Sequence, residues 1–170
     1  MKTIILAMHG APPNDFPKPE MAEFFRLHAQ LEQGVAPEMD LHALEARYVI
    51  LEAKLRAWPR HATNDPFFTA SQALAQALSQ ETGYPVIVGF NEFCGPSIDQ
   101  ACDQALAAGG EQVVLITPMM TRGGEHSEQD IPKAINQAKG RHPNVNFIFA
   151  WPFEIVEVAR FLAKQVQGFV

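Results

Sequence analysis

The stretch VVLITPMMTRGGEHSEQDIP, Val113 to Pro132, carries the reading of the fold. It opens on the apolar run Val113 to Thr117, rich in β-branched side chains and without polar alternation, as in a strand buried on both faces of a parallel sheet. It closes on Asp130-Ile131-Pro132, where proline suits the first turn of a helix and Asp130 suits its N-cap. Apolar residues Ile131, Ile135 and Ala138 continue that helix to Gly140. Between strand and helix lies a polar loop with adjacent glycines, His126 and several carboxylates. A buried strand, a loop rich in chemistry and a helix together make the repeating unit of an α/β protein.

The same unit recurs on either side. Ile4 to Met8, Pro85 to Phe90 and Val145 to Ala150 are further strand candidates, rich in Val, Ile and Phe. Ile98, Ala101, Cys102, Ala105 and Leu106 step at helical spacing to Gly109-Gly110, and Ile155, Val158, Ala159, Leu162 and Val166 do so after the last strand. Strands alternating with helices at these separations predict right-handed crossovers. The expected architecture is a four-stranded parallel sheet with helices on both faces, in a single domain over residues 1–170.

The first crossover is too long for one helix. Leu41, Leu44, Tyr48, Leu51, Leu55 and Trp58 form a narrow apolar seam, and Met21, Phe24, Phe25, His28 and Leu31 form a second one upstream. Gly34 and Pro37 supply a turn between them, which predicts a helical hairpin inserted over residues 19–60. A core cover and a lid or dimerisation arm are equally open readings of it. Phe67, Ala70, Leu74, Ala77 and Leu78 then form the helix that returns to the sheet.

Composition narrows the function. The chain has 170 residues and a net charge of −6, with no cluster of Lys or Arg, so a nucleic-acid partner is not expected. Cys94 and Cys102 fit neither a zinc or redox motif nor a disulfide framework, which suits a reducing, cytoplasmic compartment. The N-terminal apolar run is too short for a signal or a membrane span, so no membrane association is expected.

In an open parallel sheet, ligands bind beyond the carboxyl ends of the strands. His9-Gly10 ends the first strand, Glu92 follows the second, and His126 follows the third. Two imidazoles and a carboxylate on one rim are suitable ligands for a borderline divalent ion such as cobalt, nickel, iron or zinc. Each also has a structural reading. A histidine at a strand end often serves a local hydrogen bond, and Glu92 could bond amides at the next helix start, near Pro96. His28, His42, His61 and His142 read as structural or solvated, and Cys94 as a small buried hydrophobe. The loop HGAPPNDF after the first strand lacks the Ser/Thr/Gly run that would wrap a flavin phosphate.

The segments HG at 9–10, GFNEFCGPSIDQA at 89–101 and ITPMMTRGGEHSEQDIP at 116–132 resemble the class II tetrapyrrole chelatases. The match is to the small single-module sirohydrochlorin cobaltochelatases of the CbiX type. Ala11-Pro12 stands where that family commonly has serine and a basic residue, and Glu125 where it commonly has glycine. The resemblance implies a flavodoxin-like, chelatase-like module and a lyase of cobalamin or porphyrin biosynthesis. Its activity would be insertion of a divalent metal into a sirohydrochlorin-type tetrapyrrole. Cobalt would be the co-substrate, with nickel and iron as alternatives, and no organic cofactor is implied. His9, His126 and Glu92 would handle the metal and the pyrrole protons; Gly10, Arg122, Gly124 and Lys133 are candidates for substrate contact. A homodimer is implied as well. A noncatalytic metal or tetrapyrrole carrier on the same rim is the alternative.

Overall fold

In the computed structural model, which describes residues 1–34 and 41–169, four parallel strands pair in the order β2-β1-β3-β4. They are β1 (Lys2–Met8), β2 (Val86–Phe90), β3 (Gln112–Ile116) and β4 (Asn146–Phe149). The helices are α1 (Lys18–Gln33), α2 (Leu41–Arg56), α3 (Pro66–Thr82), α4 (Ile98–Ala107), α5 (Ile131–Arg141) and α6 (Ile155–Gln167). A single π-helical turn, His126–Asp130, runs directly into α5.

Register explains the two cores. Ile5 aligns with Ile87 and with Leu115, and Leu115 with Phe149, so these side chains share one face of the sheet. That face packs on α4 and α5 through Ile98, Ala101, Cys102, Ala105, Ile131, Ile135 and Ala138. Leu6, Met8, Val88 and Phe90 point the other way, toward Phe68, Ala75 and Leu78 of α3. Gly89 is fixed by this packing, because a Cβ there would lie 2.9 Å from the Ile98 Cα.

The face of α3 differs from the expected one. Phe67 and Leu74 are turned outward, 37% and 44% exposed, and Ser71 and Ala75 face the sheet instead. Burial of Ser71 costs little because its hydroxyl donates to the Phe67 carbonyl one turn back, at 2.8 Å. Asp65 caps α3 by accepting from the Phe68 amide at 2.9 Å.

The hairpin forms from α1 and α2 and buries its seam on itself. Phe16, Phe24, Leu27, Leu44, Leu51 and Leu55 make a third core, with Met21, Tyr48, Trp58 and Phe93 against it. Leu41 is outside it and 50% exposed. Gly34 ends α1 in the left-handed conformation, at φ 62°, while Pro37 falls outside the described residues.

α6 forms where its periodicity predicts but covers neither face of the sheet: none of its residues is buried. Among the described residues, no helix is long and apolar enough to cross a membrane.

Candidate metal centre

The order β2-β1-β3 puts the strand ends that carry Glu92, His9 and His126 side by side. Beyond the strands the backbones stay paired, since the Asn91 amide donates to the Met8 carbonyl and the Glu92 amide to the His9 carbonyl, each at 2.9 Å. Gly10 permits this close approach. Its φ is +99°, and a Cβ would lie 2.0 Å from the Glu92 carbonyl oxygen, so no other residue fits there.

His9, Glu92 and His126 each offer a ligand atom, and these atoms lie within 4.8 Å of one another. The two imidazoles meet edge to face at 4.5 Å between centroids, and His9 Nε2 is 4.0 Å from Glu92 Oε2. His9 Nδ1 lies 2.8 Å from the Gly10 carbonyl, which can only accept, so Nδ1 carries the proton and Nε2 keeps its lone pair. His126 Nδ1 lies 2.6 Å from Asp130 Oδ2, and a carboxylate there likewise assigns the proton to Nδ1. Both histidines therefore present Nε2 as the free donor. Among the described residues, these three side chains form a group that could hold a metal ion.

The π-helical turn is what brings His126 and Asp130 together, at i and i+4 on a helix that starts earlier than its proline suggests. Asp130 is thus not the N-cap expected from sequence: it is already helical, and its side chain makes no capping bond. Nor does Glu92 cap α4. Ser97 and Gln100 form a complete capping box there, which leaves the Glu92 carboxylate directed at His9.

Two arginines fix the rim, and both escaped the sequence reading because their partners are distant carbonyls. Arg56 donates to the carbonyls of Asn91 at 2.9 Å and Cys94 at 2.8 Å, bracketing Glu92. Arg60 donates through Nη1 to the Ala11 carbonyl at 2.7 Å and to Asp65 Oδ2 at 2.5 Å, and through Nη2 to the carbonyls of Leu55 and Phe93. Its side chain and that of Asp65 are 5% and 1% exposed. The pair ties the loops after β1 and β2 to the end of α2. Between them Phe93 adopts a φ of 58°, unfavourable for a bulky residue.

A cavity of about 730 Å³ opens beside Glu92 and is lined as well by Asp130, the partner of His126. The hairpin walls it with Phe24, Phe25, His28 and Tyr48, the rim with Asn91, Glu92 and Phe93, and α5 with Lys133. His28 was expected to be structural or solvated; here its ring stacks on Phe24 and Tyr48 at the cavity wall. Arg122 is engaged with Glu128, Nε to Oε1 at 2.8 Å, away from that cavity. The Glu128 carboxyl is held below the usual carboxylate range by the Gly123 amide and then by Arg122. Gly124 sits at the start of the π turn, its carbonyl accepting from the Ser127 hydroxyl at 3.1 Å. The burial of Cys94 is as expected, and it pushes the thiol up to about 11.

A family model named CbiX matches residues 66–167, the part of the chain that holds three of the four strands and both Glu92 and His126. The chain belongs to the CbiX family. Among curated relatives, it is 39% identical over 75 residues to the sirohydrochlorin cobaltochelatase of Priestia megaterium, covering 44% of this chain and 24% of that one. It is 38% identical over 72 residues to the sirohydrochlorin cobaltochelatase of Methanothermobacter thermautotrophicus, covering 41% of this chain and 50% of that one. The matches thus span half or less of these relatives' length. A crystal structure of a CbiX protein from Marinobacter aquaeolei VT8 superposes with a TM-score of 0.56 at 15% identity, over 99% of this chain and 96% of that one, which establishes a shared fold.

Proposed function

We propose that this CbiX-family chain inserts a divalent metal ion, cobalt, into a sirohydrochlorin-type tetrapyrrole, acting as a homodimer in the cytoplasm. The observation that carries the reading is the convergence of His9, Glu92 and His126 on one another, with Glu92 and the His126 partner Asp130 also lining an aromatic-walled cavity. The three donors are mixed nitrogen and oxygen, which suits a borderline ion such as cobalt(II), with nickel(II) and iron(II) as close competitors. Both copies of Nε2 take the ion while Glu92 offsets its charge. Asp130 holds the His126 ring in the required tautomer and orientation.

Insertion requires that two pyrrole protons leave while the ion exchanges its first ligands for ring nitrogens. An imidazole released from the ion is a competent acceptor for one such proton, and the Glu92 carboxylate beside it can relay protons outward. Because the ion departs with the product, a weak and incomplete site is a requirement. The macrocycle's faces are broad and apolar and its rim is anionic. Phe24, Phe25, Tyr48 and Phe93 suit the faces, and Lys133 offers the cavity a cation for a peripheral carboxylate. In this reading the hairpin is part of the substrate site, a wall of the cavity as well as a core of its own. Gly10 is a spacer that lets the two loops touch, and Arg122 contributes through Glu128 to the shape of the His126 loop.

Anaerobic incubation with cobalt(II) and sirohydrochlorin, followed by absorbance, tests the reading. Acceleration over the protein-free rate supports it. Binding of either component without acceleration would identify a carrier.

A further inference from the structure

α2 borders the cavity with an ion pair of incomplete geometry. Glu52 and Arg56 stand one turn apart on the helix, and a single carboxylate oxygen, Glu52 Oε1, lies 3.0 Å from Arg56 Nε and 2.9 Å from Nη2. That edge of a guanidinium presents two parallel N–H groups, a match for both oxygens of a carboxylate that meets it head-on. Glu52, tethered to the same helix, fills it with one. The rest of the guanidinium is fixed from outside α2: Nη1 donates to the Cys94 carbonyl at 2.8 Å and Nη2 to the Asn91 carbonyl at 2.9 Å. The Arg56 carbonyl in turn accepts from the Gly95 amide at 3.1 Å. The loop after β2 therefore holds Arg56 in place independently of Glu52.

The pair also separates two spaces. Glu52 and Arg56 line the large cavity and, on their other side, a second one of about 440 Å³ with Val49, Ala53, Gly95 and Gln100. Their side chains are 30% and 21% exposed, so the bond between them is that of a partly solvated i,i+4 pair, weak and readily exchanged. Glu52 has room to swing away from the large cavity.

We propose that Arg56 binds a carboxylate of the substrate, and that Glu52 occupies this site as an internal stand-in which the entering macrocycle displaces. This rests on the tetrapyrrole reading of the cavity and adds a second cation to Lys133. A carboxylate arm of the macrocycle takes the Nε–Nη2 edge with both oxygens, and the released Glu52 side chain turns into the smaller cavity. The guanidinium stays on the carbonyls of Asn91 and Cys94, which flank Glu92, so the arm is anchored at a fixed place relative to the metal donors. An uncharged arm does not displace Glu52, and the pair thereby selects for an anionic rim.

Fluorescence titration of metal-free sirohydrochlorin into the full chain, without cobalt, tests the proposal. Glu52→Ala should bind the macrocycle about threefold more tightly than wild type, because the competing carboxylate is gone. Arg56→Lys loses the two-pronged edge and should bind about tenfold more weakly, and adding Glu52→Ala to it should recover little. With fully methyl-esterified sirohydrochlorin the gain from Glu52→Ala should vanish, an arm that needs only a helix-compatible substitution and is independent of how well Arg56→Lys folds. Unchanged or weaker binding of sirohydrochlorin by Glu52→Ala, or an equal gain with the ester, would overturn the displacement. Cobalt insertion by the same wild type keeps the two readings apart: binding without insertion would remove the chelatase function and leave the Arg56 site, whereas no binding of the macrocycle would overturn both.

Discussion

His126 Nδ1 and Asp130 Oδ2 are 2.6 Å apart, one turn along a π-helical segment that runs straight into α5. The carboxylate fixes the imidazole beside His9 and Glu92, so under the proposed chelatase function its effect on metal handling is indirect. Asp130→Asn should lower cobalt affinity and insertion rate by about 10–100-fold, as loss of a carboxylate behind a metal-binding histidine typically does. Isothermal titration with cobalt(II), beside the insertion assay, checks it. Unchanged affinity would reduce Asp130 to a surface partner.

Removing Arg60 should damage the fold before it damages the chemistry. Arg60→Met leaves the Asp65 carboxylate buried without its cation and frees the carbonyls of Ala11, Leu55 and Phe93. Breaking a buried pair on one side costs about 3–5 kcal/mol, which urea unfolding would register as a lower midpoint at constant slope.

The cavity cation should act on substrate binding alone. Lys133→Ala keeps the three donors and should raise KM for sirohydrochlorin severalfold with kcat nearly unchanged, the pattern of lost uniform binding. Steady-state kinetics at fixed cobalt separates this from a loss of turnover.

How much of this was legible in the sequence varies with the range of the interaction. The strands were readable as β-branched runs, and the rule that ligands gather beyond strand ends grouped His9, Glu92 and His126 correctly in space because β2, β1 and β3 are neighbours. Asp130 was misread as a cap because Pro132 marks an apparent helix start, yet helical backbone begins a turn earlier; the spacing of His126 and Asp130 was the available signal. Arg56 and Arg60 left no signal, since what they hold are carbonyls brought near only by the finished fold. Periodicity likewise found α6 and the α3 helix, but not which face of α3 meets the sheet or that α6 meets neither face.

The thiols give a pH-dependent signature. Burial pushes Cys94 up to about 11 and Cys102 up to about 12, from an ordinary 9.0. The folded chain therefore keeps these protons where the unfolded chain has lost them. The resulting stabilisation is full below pH 9 and is lost as pH rises through 11 and 12, so the urea midpoint should fall across that window. At pH 8 neither thiol should react with a disulfide reagent until the chain is unfolded.

The most direct test compares wild type, His9→Ala and His126→Ala in anaerobic cobalt insertion into sirohydrochlorin, with circular dichroism confirming that each is folded. The rim side chains contribute little to the cores, so the folds should persist while insertion falls to near the protein-free rate in both variants. Insertion in either variant at the wild-type rate would contradict the assignment of that histidine, and a wild-type rate no faster than the protein-free reaction would contradict the chelatase reading itself.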